Sequence, residues 1–400
     1  MSQSVSQSVS QSVSKRVTPT VEEINAVTTA IDSYLENVRS HPDQRPGAHP
    51  YYRFHPPNAP IYGTVMIFHG FSMRPHQMWR LADYLFQNGF NVYQLTLAGH
   101  ERLNPHKNWP QIDLKPEYAT PLMQKVLADP VLKSALTQVA DSKGITAGKQ
   151  NALLQRVFSV APEMSDFASA ISHPKQPTFE RYFTSSHTDF LTTAQQRLSE
   201  LSAMPGPIYA VGLSVGGATA LGLAGNSNGR IEKVVAYAPL LKIEGEARRA
   251  FVQLTGPLNI NETGWDPDLQ FPVGALTAAD YFGGEVRTHP DKLKDIPIFM
   301  ALTENEDAAD VQTDEDFFTE VNALNDASWF YKYPASAMVP HPMIDPTEVS
   351  QGMSNLFWQS LYQETLRFLR SGEVSRSNLA TLSQTGDMPL VSPLIPQFAA

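Results

Sequence analysis

The sequence predicts an α/β protein: a mainly parallel sheet covered by helices on both faces, with an inserted helical cap. Three observations carry that prediction. Short apolar runs of strand character alternate with helical segments along the chain, as a sheet covered on both faces requires. The stretch "YAVGLSVGGATALGLAG", residues 209 to 225, places Ser214 between glycines where an apolar strand gives way to a small-residue helix. Two long interruptions, at about 104–186 and 241–294, break the alternation.

The elements follow in order. "TPTVEEINAVTTAIDSYLENVRSH" predicts a helix capped by Thr20, with Glu22 and Glu23 in the first turn where the helix dipole favours them. "GTVMIFHG" predicts a strand ending in glycine, "RPHQMWRLADYLFQNG" a helix with a glycine stop, and "FNVYQLTLAGH" the next strand. The first interruption then carries two helical stretches, "TPLMQKVLADPVLKSALTQVA" and "GKQNALLQRVFSVAPEMSDFASAIS". After it come the helix "HTDFLTTAQQRLSELSAM", the strand and helix around Ser214, and the buried strand "IEKVVAYAP". Beyond the second interruption lie the strand "IPIFMALT", the helix "TDEDFFTEVNAL", the strand "ASWFYKYP" and the last long helix, "GMSNLFWQSLYQETLRFLRS". The "SQSV" repeats mark residues 1–17 as a low-complexity, disordered start, and 373–400, rich in Ser, Thr and Pro, as a tail with little structure of its own. Residues 18–372 form the predicted domain. Long loops in compact domains are commonly functional, so the interruptions are expected to cap a pocket.

Composition narrows the class. There is no cysteine, so disulfides, a thiolate nucleophile and a thiolate metal site are excluded. That fits a reducing compartment, and a cytoplasmic location is expected. The net charge of −10, with no dense basic stripe, argues against a nucleic-acid partner. No apolar run has the length of a transmembrane helix, and the N-terminus lacks the pattern of a secretory signal. Peripheral contact with a membrane stays open. No metal cluster and no phosphate-cradling loop is visible, so neither metal nor cofactor is expected.

Gly212-Leu213-Ser214-Val215-Gly216 fits G-x-S-x-G in its required strand–turn–helix context. A serine hydroxyl needs a base, and the base a carboxylate to hold it. In this layout acid and base follow the nucleophile in that order. Of eleven histidines only His289 and His341 lie beyond Ser214. His289 falls in the second interruption, ahead of any acid at a strand end. His341 follows the last strand and is the expected base. The acid comes from "ENEDAAD", where Glu304, Glu306, Asp307 and Asp310 compete. Glu306 fits the spacing and is followed closely by the small Ala308 and Ala309. Asp307 needs a one-residue shift but is the commoner residue type, so both stay open.

Taken together, "FHGFS", "LAGHE", "GLSVGG", the 303–310 acidic loop and "PHPMID" resemble the α/β-hydrolase superfamily, in family order over residues 61 to 370. "LAGHE" departs from the family's turn at Ala98 and Glu101. The resemblance implies backbone amides at Phe71 and Val215 that bind an oxyanion, with His69 a hydrogen-bonder in its turn rather than a base. It implies a serine hydrolase acting on carboxylic esters through an acyl-enzyme on Ser214. Leu122, Met123, Val126, Leu127, Leu132, Leu153, Leu154, Val157 and Phe158 give the cap apolar faces. They suit a small-molecule or lipid ester with a long acyl chain, or they hold the cap to the sheet. A thioesterase, amidase or acyltransferase would use the same residues, and a non-catalytic binding protein could share the fold.

Overall fold

The computed structural model describes residues 15–140, 147–255, 261–263 and 269–384. Eleven strands are seen among them. In chain order they are β1 (Tyr51–Arg53), β2 (Thr64–Phe68), β3 (Asn91–Leu95), β4 (Ile112–Leu114), β5 (Phe183–Ser185) and β6 (Ile208–Leu213). Then come β7 (Ile231–Tyr237), β8 (Asn261–Thr263), β9 (Gln270–Pro272), β10 (Ile298–Thr303) and β11 (Trp329–Tyr333). Seven form the central sheet in the order β1-β3-β2-β6-β7-β10-β11. All neighbours pair in parallel except β1, which runs antiparallel on β3 at the edge.

The strands β2, β3, β6 and β10 are buried along their whole length. Their alternate side chains feed two cores, one on each face. Met66 and Phe68 of β2 join the core formed with the helices Val21–Ser40, Asp189–Glu200, Val215–Gly225 and Val311–Leu324. Val65 and Ile67 join the opposite core, built with the helices Trp79–Gln87 and Trp358–Ser371. The helix Val215–Gly225 is buried on every side, which its run of Gly, Ala and Leu permits.

The interruptions resolve into short elements. β4 and β5 pair antiparallel across the first, and β8 and β9 across the second. Each predicted helical stretch of the first is two helices. Pro116–Ala128 and Pro130–Ala140 part at Pro130; Ala147–Val160 and Met164–Ile171 part around Pro162. Proline lacks the amide proton an uninterrupted helix needs.

The ends differ from expectation in two places. Val17, placed in the disordered start, exchanges both backbone hydrogen bonds with Ile61, at 2.9 and 2.8 Å. Within the expected tail, Ser375 caps a short helix, Arg376–Leu379, whose Leu379 is buried. Glu364 holds it, accepting from the Ser375 amide and the Asn378 side chain at 2.6 Å each. Residues 1–14 and 385–400 lie outside the described residues. Among the described residues no helix is long and apolar enough to cross a membrane.

Candidate active site

Ser214 sits where β6 ends and the helix Val215–Gly225 begins, with φ 57° and ψ −121°. That backbone conformation is strained for any residue with a Cβ. Its neighbours hold it there. The Ser214 amide donates to the Tyr237 carbonyl at 2.9 Å, and its carbonyl accepts from Leu240 at 2.9 Å and Ala218 at 3.0 Å. The turn is too tight for side chains on either side. A Cβ on Gly216 would lie 2.4 Å from the His69 carbonyl oxygen, and one on Gly212 would lie 2.0 Å from that of Gly216. The motif's glycines are thus demanded by backbone meeting backbone. The same contact brings the end of β2, with His69, against the first turn of the serine's helix. Val215 is the first residue of that helix, so its amide has no intrahelical acceptor.

The acidic loop after β10 is sorted by its hydrogen bonds. Glu304 accepts from the Ala335 amide at 2.8 Å. Asp310 caps the helix Val311–Leu324, accepting from Thr313 at 2.8 Å. Asp307 is exposed and takes the Gln351 side chain at 2.7 Å and the Ser350 hydroxyl at 3.3 Å. Glu306 alone turns inward. Its Oε1 lies 2.5 Å from His341 Nδ1, and the two side chains are 3% and 4% exposed. The same oxygen accepts from the amides of Asp307, Ala308 and Ala309 at 3.2, 3.0 and 3.0 Å. The His341 loop is brought back over β10 by a bridge between Asn305 and Pro340, and by the Thr303 hydroxyl donating to the Val339 carbonyl at 2.6 Å. β10 lies two strands from β6, with β7 between.

Burial opposes charge on both partners, yet each is shifted toward its charged form. For Glu306, the His341 charge and contact, with the Ala309 and Ala308 amides, outweigh burial and lower the carboxyl's pKa. For His341, burial is outweighed by Glu306 and, more weakly, Asp307, so the imidazole's pKa is raised. Such an imidazole is a stronger base than a free one, and its partner fixes its orientation.

Phe71 follows β2 and is partly buried. Its ring meets Trp109 of the first interruption and Phe271 of the second edge-on, with centroids 5.3 and 5.0 Å away. Both interruptions therefore converge beside Phe71. His69 is buried and neutral: burial depresses its pKa to about 3. Its Nδ1–H donates to the Gly70 carbonyl at 2.7 Å, and its Nε2 accepts from the Leu97 amide at 3.2 Å. His289 is exposed.

Sequence reasoning missed the residues that brace this loop. The Gln77 side-chain carbonyl accepts the Gly70 amide at 2.8 Å, and its amide donates to Glu348 at 3.0 Å. Burial holds the Glu348 carboxyl up at about 8. The Arg45 guanidinium donates to the Ser72 carbonyl at 2.8 Å and to those of Met73 and His100 at 3.2 and 3.3 Å. Arg80 binds both Asp345 oxygens at 3.1 and 3.2 Å, tying the helix Trp79–Gln87 to the His341 loop. Nothing in the sequence marked Arg45 or Arg80, because their roles follow from burial, which sequence does not show.

The apolar residues of the cap are already occupied. Leu122, Val126, Leu132, Leu153, Leu154 and Val157 are buried in the main core, with Met123 and Phe158 packed against it; Leu127 is exposed. In this structure these side chains pack the first interruption together and against the core.

No family model matches the chain, and no curated protein matches it. Solved structures do resemble it. One is a monoacylglycerol lipase of Paleococcus ferrophilus, 12% identical over 81% of this chain and 99% of the other, with a TM-score of 0.47. Another is a soluble variant of the Saccharomyces cerevisiae monoglyceride lipase in complex with a substrate analogue, 13% identical over 84% and 98%, with a TM-score of 0.46. A third is from work on LipS and LipT, two metagenome-derived lipolytic enzymes, 14% identical over 81% and 98%, with a TM-score of 0.45. This chain's own mainly parallel sheet, its helices on both faces and its serine at a strained strand-to-helix elbow make its fold that of an α/β-hydrolase.

Proposed function

We propose that the protein is a serine hydrolase that cleaves carboxylic esters. The observation that carries this is a buried His341 set against an ionised, amide-held Glu306, in a chain that holds Ser214 on a strained elbow. In this reading His341 takes the proton from Ser214 Oγ as that oxygen attacks the ester carbonyl. Glu306 orients the imidazole and stabilises the imidazolium. The amides of Phe71 and Val215 stabilise the oxyanion. The alcohol leaves with the proton from His341, and a water activated by the same base releases the acid. Asp307, engaged with Ser350 and Gln351, acts on His341 through its charge rather than by contact.

A fluorophosphonate probe tests the reading. It should label Ser214 in the wild-type chain, and Ser214→Ala should lose hydrolysis of a short p-nitrophenyl ester. A Ser214→Ala variant with full esterase activity would end the proposal.

A further inference from the structure

A second serine, far from the elbow, has the partners of a nucleophile. Ser185 ends β5, and its Oγ lies 2.6 Å from His187 Nδ1. On the other side of the ring, Nε2 lies 2.9 Å from Glu285 Oε1. Glu285 comes from the helix Val273–Arg287, ninety-eight residues away in the chain. The hydrogen bond from His187 lowers the Glu285 carboxyl's pKa against burial, which raises it, so Glu285 stays ionised. A carboxylate can only accept, so Nε2 carries the proton and Nδ1 presents its lone pair to the serine hydroxyl. Tyr281, one turn before Glu285, places its ring 6.0 Å from that of His187.

We propose that Ser185, His187 and Glu285 form a second site at which a serine hydroxyl is activated. His187 Nδ1 takes the hydroxyl proton as Ser185 Oγ bonds to an acyl carbon, and returns it to the departing alkoxide. Glu285 acts through His187 as a positioning residue. Glu285 also lines a cleft of about 240 Å³, together with Lys175, His289 and Lys292, while Ser185 and His187 stand outside its lining. Lys175 and Lys292 of that cleft, set beside the relay's Glu285, favour a small acyl donor carrying negative charge. The cleft's floor is Leu221, Gly222 and Gly225, the far half of the helix that Ser214 heads.

The relay is more open than the Ser214 site: His187 is 15% exposed and Glu285 52%. Solvent weakens such a pair, so its reactions should be slower.

The test is labelling of full-length Ser214→Ala with a fluorophosphonate, followed by peptide mapping. The phosphorus–fluorine bond breaks, fluoride leaves, and a phosphorus–oxygen bond forms on the serine. Ser185 should be labelled, about 10²–10³-fold more slowly than Ser214 in the wild type. Ser214→Ala/Ser185→Ala should take no label. His187→Ala in the Ser214→Ala background should slow labelling about 10²-fold, as loss of a general base does. Glu285→Gln should slow it too, and Glu285→Asp should restore part of the rate. An aryl hemisuccinate should acylate Ser185 faster than an aryl acetate. Absence of label on Ser185 in Ser214→Ala, or a rate unchanged by His187→Ala, overturns the proposal; equal rates for the two esters overturn its acidic substrate. Label on Ser185 with none on Ser214 in the wild type supports this site while overturning the reading of Ser214.

Discussion

In the readings proposed above, Ser214 and Ser185 each work with a histidine and a glutamate, in opposite surroundings. At Ser214 the serine is 5% exposed, its backbone is strained at φ 57°, and the histidine–carboxylate pair is buried. At Ser185 the serine is exposed at the end of a three-residue strand, and its carboxylate is half in water. Contact distances alone would rank the relay at 185 well, since its bonds are short. Burial and rigidity separate the two. A charge pair in a dry site interacts far more strongly than one in water, and a group already held in place needs no reorganisation during reaction.

The largest expected difference follows from that contrast. Ser214→Ala should lower kcat for a short aryl ester by on the order of 10⁴-fold or more. A loss below tenfold would mean that the turnover belongs elsewhere, and mapping would show whether Ser185 carries it. Next comes Glu306→Gln, expected to cost on the order of 10⁴ by leaving the imidazole in the wrong tautomer. Its pH profile is more telling than its rate. With Glu306 present, His341 titrates above its ordinary 6.5, so the acid limb of kcat/KM should lie above pH 6.5. Without the carboxylate, burial is left as the main influence and the limb should move below 6.5. An unmoved limb would show that the rate-controlling base is not His341.

The same pair makes a stability prediction with a sign. Glu306 is lowered, so its contribution is complete above about 4.5 and is lost as pH falls through its folded value. His341 is raised, so its contribution is complete below about 6.5 and is lost as pH rises through its folded value. The wild type should therefore exceed Glu306→Gln in unfolding free energy most between pH 4.5 and 6.5. Urea titrations across that window check it, and a flat difference would contradict the coupling.

The bracing around the buried site gives the next effect. Asp345→Ala leaves the buried Arg80 guanidinium without its carboxylate, a loss of about 3–5 kcal/mol. The exposed pair His187–Glu285 should lose about 1 kcal/mol or less in the corresponding Glu285→Ala. Thermal unfolding separates the two, and similar losses would mean that the half-exposed pair is held far more rigidly than its exposure suggests.

How far the sequence could be read follows the same division. The sheet and the Ser214 elbow were legible because strand runs and the glycine pattern are local. The Thr20 cap was legible for the same reason, and the structure adds Glu23 reaching back to the Thr20 amide at 2.7 Å. β1 was not legible: three residues beside His and Pro carry no periodicity, and only pairing with β3 makes them a strand. Sequence left Glu306 and Asp307 open because adjacent residues differ only in direction. The backbone turn aims three amides at Glu306 and sets its carboxylate against His341, while Asp307 faces Ser350 and Gln351. The Ser185 relay was invisible, since it depends on a helix and a strand from two different interruptions coming together.

The smallest effect is the one that isolates strain from chemistry. At position 214 a Cβ is held at positive φ with ψ −121°, a conformation that costs roughly 1–3 kcal/mol for a residue other than glycine. Glycine there loses more chain entropy than alanine, by about 0.5–1 kcal/mol, but carries no such strain. Ser214→Gly should therefore be more stable than Ser214→Ala by about 1 kcal/mol, although both lack the hydroxyl. At 185 the residue lies in a strand and has no positive φ, so only the entropy remains. Ser185→Gly should be less stable than Ser185→Ala by about 0.5–1 kcal/mol. The glycine–alanine difference thus changes sign between the two serines, and urea unfolding of the four variants reads it directly. The same sign at both positions would mean that the elbow stores no strain, and that what distinguishes Ser214 is its burial alone.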